Sequence, residues 1–185
     1  MDQLRSQLIR TFQRGARLAG VALALVIAGS AALWASLDNW RSTPLTNTLE
    51  SPQAVGEVVL SSLRAGQVAP LRDLALTEHE FRDHVWPGLP ASRTDGAVPF
   101  NFVWGTLRQN SEARLHETIA QVHGQELTLK RVEFEGPSTS YGDVTVHRES
   151  RLVVETREGR ERTIRLFGSM IEQDGRWKVF SYVID

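Results

Sequence analysis

Two pairs of side chains stand one helical turn apart in the stretch 77–86: Glu80 with His84, and His79 with Asp83. At i, i+4 spacing each pair shares a helix face, and a carboxylate beside an imidazole is the minimal acid–base pair or half of a helical metal site. Asp73 is a further acidic candidate. No HExxH and no second ligand cluster accompanies them, so they read as a solvated helix face laced with ion pairs. No catalytic residue, metal or cofactor is assigned.

A second group sits at 147–151. His147, Glu149 and Arg151 share one strand parity and read as a solvent face of alternating charge. Arg148 falls on the apolar parity of Val144, Val146, Leu152 and Val154. It either anchors an anionic group in a pocket or reaches the rim of the sheet, and the rim is the simpler account. Trp86, Trp104 and Tyr141 stand at element ends or on a core stripe, where they serve as core or as pocket lining. With Arg148 they are the candidate ligand-pocket residues. Ser169 lacks a GxSxG setting and a histidine partner, so it is no nucleophile.

The elements that position these residues are readable. Ser51 and Pro52 start a helix as N-cap and first position, Val55, Val58, Val59 and Leu63 form its stripe, and Gly66 stops it. Pro70–Leu76 is a further helical turn or two. Thr77 and Glu80 form a capping box ahead of Phe81, Val85 and Trp86. The stretch 88–98 has no apolar period and reads as a loop long enough for a lid. From Pro99 a 3.6-residue period runs through Phe100, Val103, Trp104, Leu107, Ser111, Leu115, Ile119 and Val122 to Gly124.

There the period becomes two. Leu127 and Leu129 alternate, Val132 and Phe134 continue on the other parity, and a bulge is predicted near Lys130 and Arg131. Strands follow over about 141–156, through Ile164, Leu166 and Met170, and over Trp177–Ile184 after an Asp174-Gly175 hairpin. Gly168 reads as a bend. The fold class is α+β: helices packed on one face of a curved antiparallel sheet.

The chain has 185 residues, 41% hydrophobic and 23% charged, with net charge −1 and no cysteine. Those values fit one globular domain with an appendage, give no sign of a nucleic-acid partner, and exclude disulfides and thiol chemistry. The appendage is N-terminal. Leu18–Leu37 carries no charge, and roughly 30 Å of helix is enough to cross a bilayer. Arg5, Arg10, Arg14 and Arg17 precede it, so the N-terminus stays inside and the remainder of the chain is exported. The expected organisation is a basic cytoplasmic segment 1–17, a transmembrane anchor 18–37, a linker 38–50 and a domain 51–185. The alternative is a signal peptide cleaved near Ala32, leaving the domain secreted or periplasmic.

Helices before a meander that closes on GRWKVFSYVID after the Asp-Gly hairpin form a pattern that resembles the NTF2-like superfamily, the cone-shaped α+β fold of SnoaL-like proteins and ketosteroid isomerase. The resemblance covers residues 51–185. It implies a pocket inside the cone and often a homodimer. An anchor, a short linker and such a domain also resemble the layout of VirB8-type components of secretion machinery. Two functions are expected on these grounds. One is a membrane-anchored extracytoplasmic binding or assembly module, with the bilayer and a membrane-complex protein as partners. The other is a SnoaL-like small-molecule-binding protein or lyase/isomerase using the cone pocket. A sealed aliphatic interior favours the module, an open cavity containing Asp73, His84, Arg148 or Tyr141 favours an enzyme, and an open pocket without acids favours a carrier of hydrophobic ligands.

Overall fold

The computed structural model describes residues 43–93 and 98–183. Among them no helix is long and apolar enough to cross a membrane; the expected anchor, Leu18–Leu37, lies outside them. The described residues form an α+β domain of helices and two antiparallel sheets.

Helix α1 spans Pro52–Ala65. The Ser51 side chain accepts from the Ala54 N–H at 3.1 Å, and Gly66 closes the helix at φ +68°, a conformation that suits glycine. Its stripe of Val55, Val59 and Leu63 is fully buried, at about 1.5–3 kcal/mol per side chain. Helix α2 covers Val68–Leu74. Helix α3, Glu78–Glu80, starts on the Thr77–Glu80 capping box and widens at once into a π-helical turn over Phe81–Val85. Two 3₁₀ turns, Trp86–Gly88 and Pro90–Ser92, lie at the start of the expected loop. Helix α4, Phe100–Val122, comes next.

The strands are β1 Leu127–Phe134, β2 Ser138–Tyr141, β3 Val144–His147, β4 Ser150–Thr156, β5 Glu161–Ile164, β6 Ser169–Gln173 and β7 Arg176–Ser181. One sheet has the order β1-β4-β5 and the other β2-β3-β6-β7, where a single meander of four strands was expected. The expected strand 141–156 is two strands. Glu149, at φ +53°, breaks it and hands its halves to different sheets. A β1–β4 register shift between Leu129 and Arg131 is the predicted bulge. Asp174 and Gly175, at φ +51° and +75°, make the β6–β7 hairpin turn.

The four-stranded sheet buries both faces, where one was expected. Val146 pairs with Ile171 and His147 with Met170, so neighbouring residues point to opposite sides. Met170 and Val179 join α1, α2, Leu152, Val154 and the C-terminal half of α4 in one core. Val144, Val146 and Ile171 join Leu76, Phe81, Val85 and the N-terminal half of α4 in another. Helix α4 therefore serves both cores, and Ser111 near its middle accepts the Tyr182 N–H at 3.0 Å. The even-numbered residues 144–154, expected on one face, divide between the two cores at the Glu149 bend.

Residues 43–50, expected as linker, lie along the free edge of β7. Leu49 and Trp177 exchange both backbone hydrogen bonds at 2.8 Å, and Leu45 is buried. Pairing this edge removes a template for unwanted strand addition.

Candidate functional site

The second core does not fill its space. A cavity of about 280 Å³ opens between the π-helical turn, the N-terminal half of α4 and the four-stranded sheet. Phe81, Val85 and Leu89 come from the turn region, Val103 and Leu107 from α4, and Val146 and Phe180 from β3 and β7. The π turn inserts an extra residue, a device frequent at functional sites, and Phe81 and Val85 at its two ends both line the cavity. The polar groups in the wall are Tyr141, Arg148, Ser169 and Ser181; among the described residues no carboxylate or imidazole lines it.

Of the sequence candidates, Tyr141 and Arg148 meet at this cavity. Arg148 is exposed just beyond β3, at the rim rather than the floor. Trp104 lies in the wall of an adjoining cavity of about 240 Å³, which shares Leu107, Phe180 and Ser181 with the first and also holds the Arg72–Glu112 ion pair and Arg108. Trp86 lines neither. It packs edge-on against Phe100, with ring centroids 5.4 Å apart. Ser169 is buried in the main cavity's wall.

The acid–imidazole candidates divide. His79 Nε2 and Asp83 Oδ2 lie 3.3 Å apart on an exposed face, as the solvated reading requires, and Asp73 is exposed. Glu80 and His84 are buried, which corrects the solvated reading for that pair: Phe81 and Val85 draw this side of the turn into the core. The Glu80 carboxylate is saturated. It accepts from Lys178 Nζ at 2.9 and 3.1 Å, from the Thr46 N–H and hydroxyl at 2.7 and 2.9 Å, and from the Thr77 N–H at 2.8 Å. Burial alone would raise its pKa; the Thr77, Thr46 and Lys178 hydrogen bonds outweigh that and hold it at about 2. Lys178 gives its third bond to the Thr46 carbonyl at 2.8 Å, and burial lowers its pKa. A carboxylate so fully bonded is a poor proton carrier. Its geometry clamps residues 45–49 to the domain.

His84 Nδ1 lies 3.3 Å from Asp143 Oδ1, and Gln173 bridges Asp143 and the Leu45 N–H. This second, partly buried network fastens the same segment, residues 43–50. His147 packs against both Phe134 and Trp177, with centroids 5.1 and 4.7 Å away, while those two rings stack on each other at 5.9 Å; its Nδ1 meets Ser138 Oγ at 3.0 Å. Burial lowers its pKa, which Glu172 partly opposes. It is therefore an aromatic-stack residue and not part of the charged solvent face expected for it. Arg151 does pair with Glu135.

Lys178 was not singled out in the sequence. The signal was present: 177–183 is apolar on both parities, so the strand is covered on both sides and a lysine within it needs a buried partner. Among the described residues no three His, Asp or Glu side chains come together to hold a metal ion. The residues able to orient a ligand are Tyr141, Arg148, Ser169 and Ser181, around an apolar wall. No family model, curated protein or solved structure matches the chain.

Proposed function

We propose that this chain is a membrane-anchored, extracytoplasmic binding domain of NTF2-like type, whose apolar cavity receives a small hydrophobic ligand with its polar end toward Arg148. The observation that carries the binding half is the cavity: about 280 Å³, walled mainly by aliphatic and aromatic side chains, with Arg148 at its rim and no acid in its lining among the described residues. Apolar walls supply affinity without direction, and a few polar groups set orientation. Tyr141 and Arg148 line the cavity, but a lyase or isomerase also needs a carboxylate or imidazole base facing the ligand; none lines it among the described residues, and Glu80, the buried carboxylate closest in sequence to the wall, is fully bonded elsewhere. The anchor rests on the uncharged run Leu18–Leu37 and the arginines before it.

Decanoate, an apolar chain with one anionic end, is a suitable probe. Calorimetric titration of the full-length chain in neutral detergent is expected to show one saturable site. Leu107→Trp, which fills the cavity from α4, should abolish it. Arg148→Gln should weaken it by about tenfold, the loss of one charge-assisted contact of ~1.5 kcal/mol. Binding unchanged in Leu107→Trp would contradict the reading.

A further inference from the structure

A different cavity, of about 240 Å³, lies between the C-terminal end of α4 and β5 and is lined in part by Gln121, Gln125, Arg162 and Arg165. Four other arginines of the three-stranded sheet and its β4–β5 turn hold glutamates. Arg131 meets Glu133 at 2.6 Å, Arg151 meets Glu135, and Arg157 and Arg160 meet Glu126 and Glu158 at 3.5 and 3.7 Å. Among the described residues Arg162 and Arg165 have no ion-pair partner, and no carboxylate lines the cavity they share.

Arg165 carries the stronger sign. Its Nε and Nη2 are buried with no hydrogen-bond partner. Those two nitrogens form the side-on fork of a guanidinium. Elsewhere in this domain Arg72 uses the same two, Nε at 2.9 Å and Nη2 at 2.8 Å, to grip Glu112. A buried cationic donor left without an acceptor is costly, and a charge-assisted bidentate contact is among the strongest that can relieve it. The fork is sealed from solvent in this rotamer, so the side chain must turn toward the cavity to meet a ligand. Helix α4 ends beside the site, and its C-terminal dipole opposes an anion by about half a charge, against two full positive charges.

We infer that this cavity is an oxyanion site for a carboxylate or phosphate group, gripped bidentately by Arg165 with Arg162 as the second cation. The site is separate from the apolar cavity and does not depend on the function proposed for it. The test is an NMR titration of the arginine Nε–H resonances of the full-length chain in neutral detergent. The arms are sodium phosphate, sodium acetate, micelles doped with phosphatidylglycerol, and sodium chloride at matched ionic strength. The Arg165 resonance is expected to shift saturably with at least one oxyanion and not with chloride. Phosphate against doped micelles then separates a free ion from a lipid headgroup. Arg162→Gln should weaken binding by about tenfold and Arg114→Gln, at an exposed ion pair of α4, should leave it unchanged. Arg165→Gln, read by thermal shift, should remove the stabilisation by oxyanion. A linear response common to all salts, or oxyanion stabilisation surviving in Arg165→Gln, overturns the inference; if that variant does not fold, the wild-type Arg165 resonance still decides it.

Discussion

Replacing Glu80 by glutamine keeps the shape and removes the charge that Lys178 was buried to meet. With its partner neutral, Lys178 is left as an uncompensated buried cation, a change that typically costs about 3–5 kcal/mol. The acid side gives an independent magnitude. In the folded chain the Glu80 carboxyl is held at about 2, against an ordinary value of 4.5. That gap corresponds to about 3 kcal/mol of stability, at ~1.4 kcal/mol per pH unit. Because the folded value is the lower one, the contribution is complete above pH ~4.5 and is lost as the pH falls toward 2. Lys178→Met should cost less than Glu80→Gln, since the remaining carboxylate still accepts from Thr46 and Thr77. Changing both residues should cost less than the sum, because no buried charge is left unpaired. The assay is urea unfolding monitored by tryptophan fluorescence, at pH 7 and stepwise down to pH 2.5. Glu80→Gln should lower the unfolding free energy at pH 7 by about 3 kcal/mol or more and flatten the acid slope. A loss under ~1 kcal/mol with the slope intact would refute the reasoning.

Close contacts yield two further outcomes. A Cβ added at Gly88 would lie 2.7 Å from the Tyr141 ring, so Gly88→Ala should push that ring into the cavity and reduce decanoate affinity several-fold by calorimetry while the fold, checked by circular dichroism, persists. Tyr182→Phe removes the buried hydroxyl that donates to the Leu71 carbonyl at 2.8 Å and should cost about 1–2 kcal/mol in urea unfolding, without moving the acid slope.

How much of this was legible depended on whether the cause was local. The Ser51-Pro52 start and Gly66 stop of α1, the Thr77–Glu80 capping box, the Asp174-Gly175 turn and the bulge after Leu129 are each decided within a few residues, and each is where the pattern put it. Strand β2 was not legible, because Ser-Thr-Ser-Tyr has no alternation of apolar and polar residues; it forms by pairing with β3. Nor was the division into two sheets. It turns on Glu149 adopting positive φ, a choice made by tertiary packing against ordinary preference. At the candidate cavity, Tyr141 and Arg148 were found from parity and element ends, while Trp86 and Trp104 went to neighbouring packing. The Glu80–Lys178 pair spans 98 residues of sequence and no short-range pattern announces it. Its purpose shows only once residues 45–49 are seen lying on β7.

The absence of cysteine makes the decisive topological measurement simple, since a single introduced thiol is the only one present. Asp174→Cys on the exposed β6–β7 turn and Arg5→Cys before the uncharged run would each be exposed, in intact bacterial cells, to a maleimide that cannot cross the membrane. An anchored extracytoplasmic domain requires Cys substitution at 174 to label in intact cells and substitution at 5 to label only after lysis. Labelling of both only after lysis would contradict it.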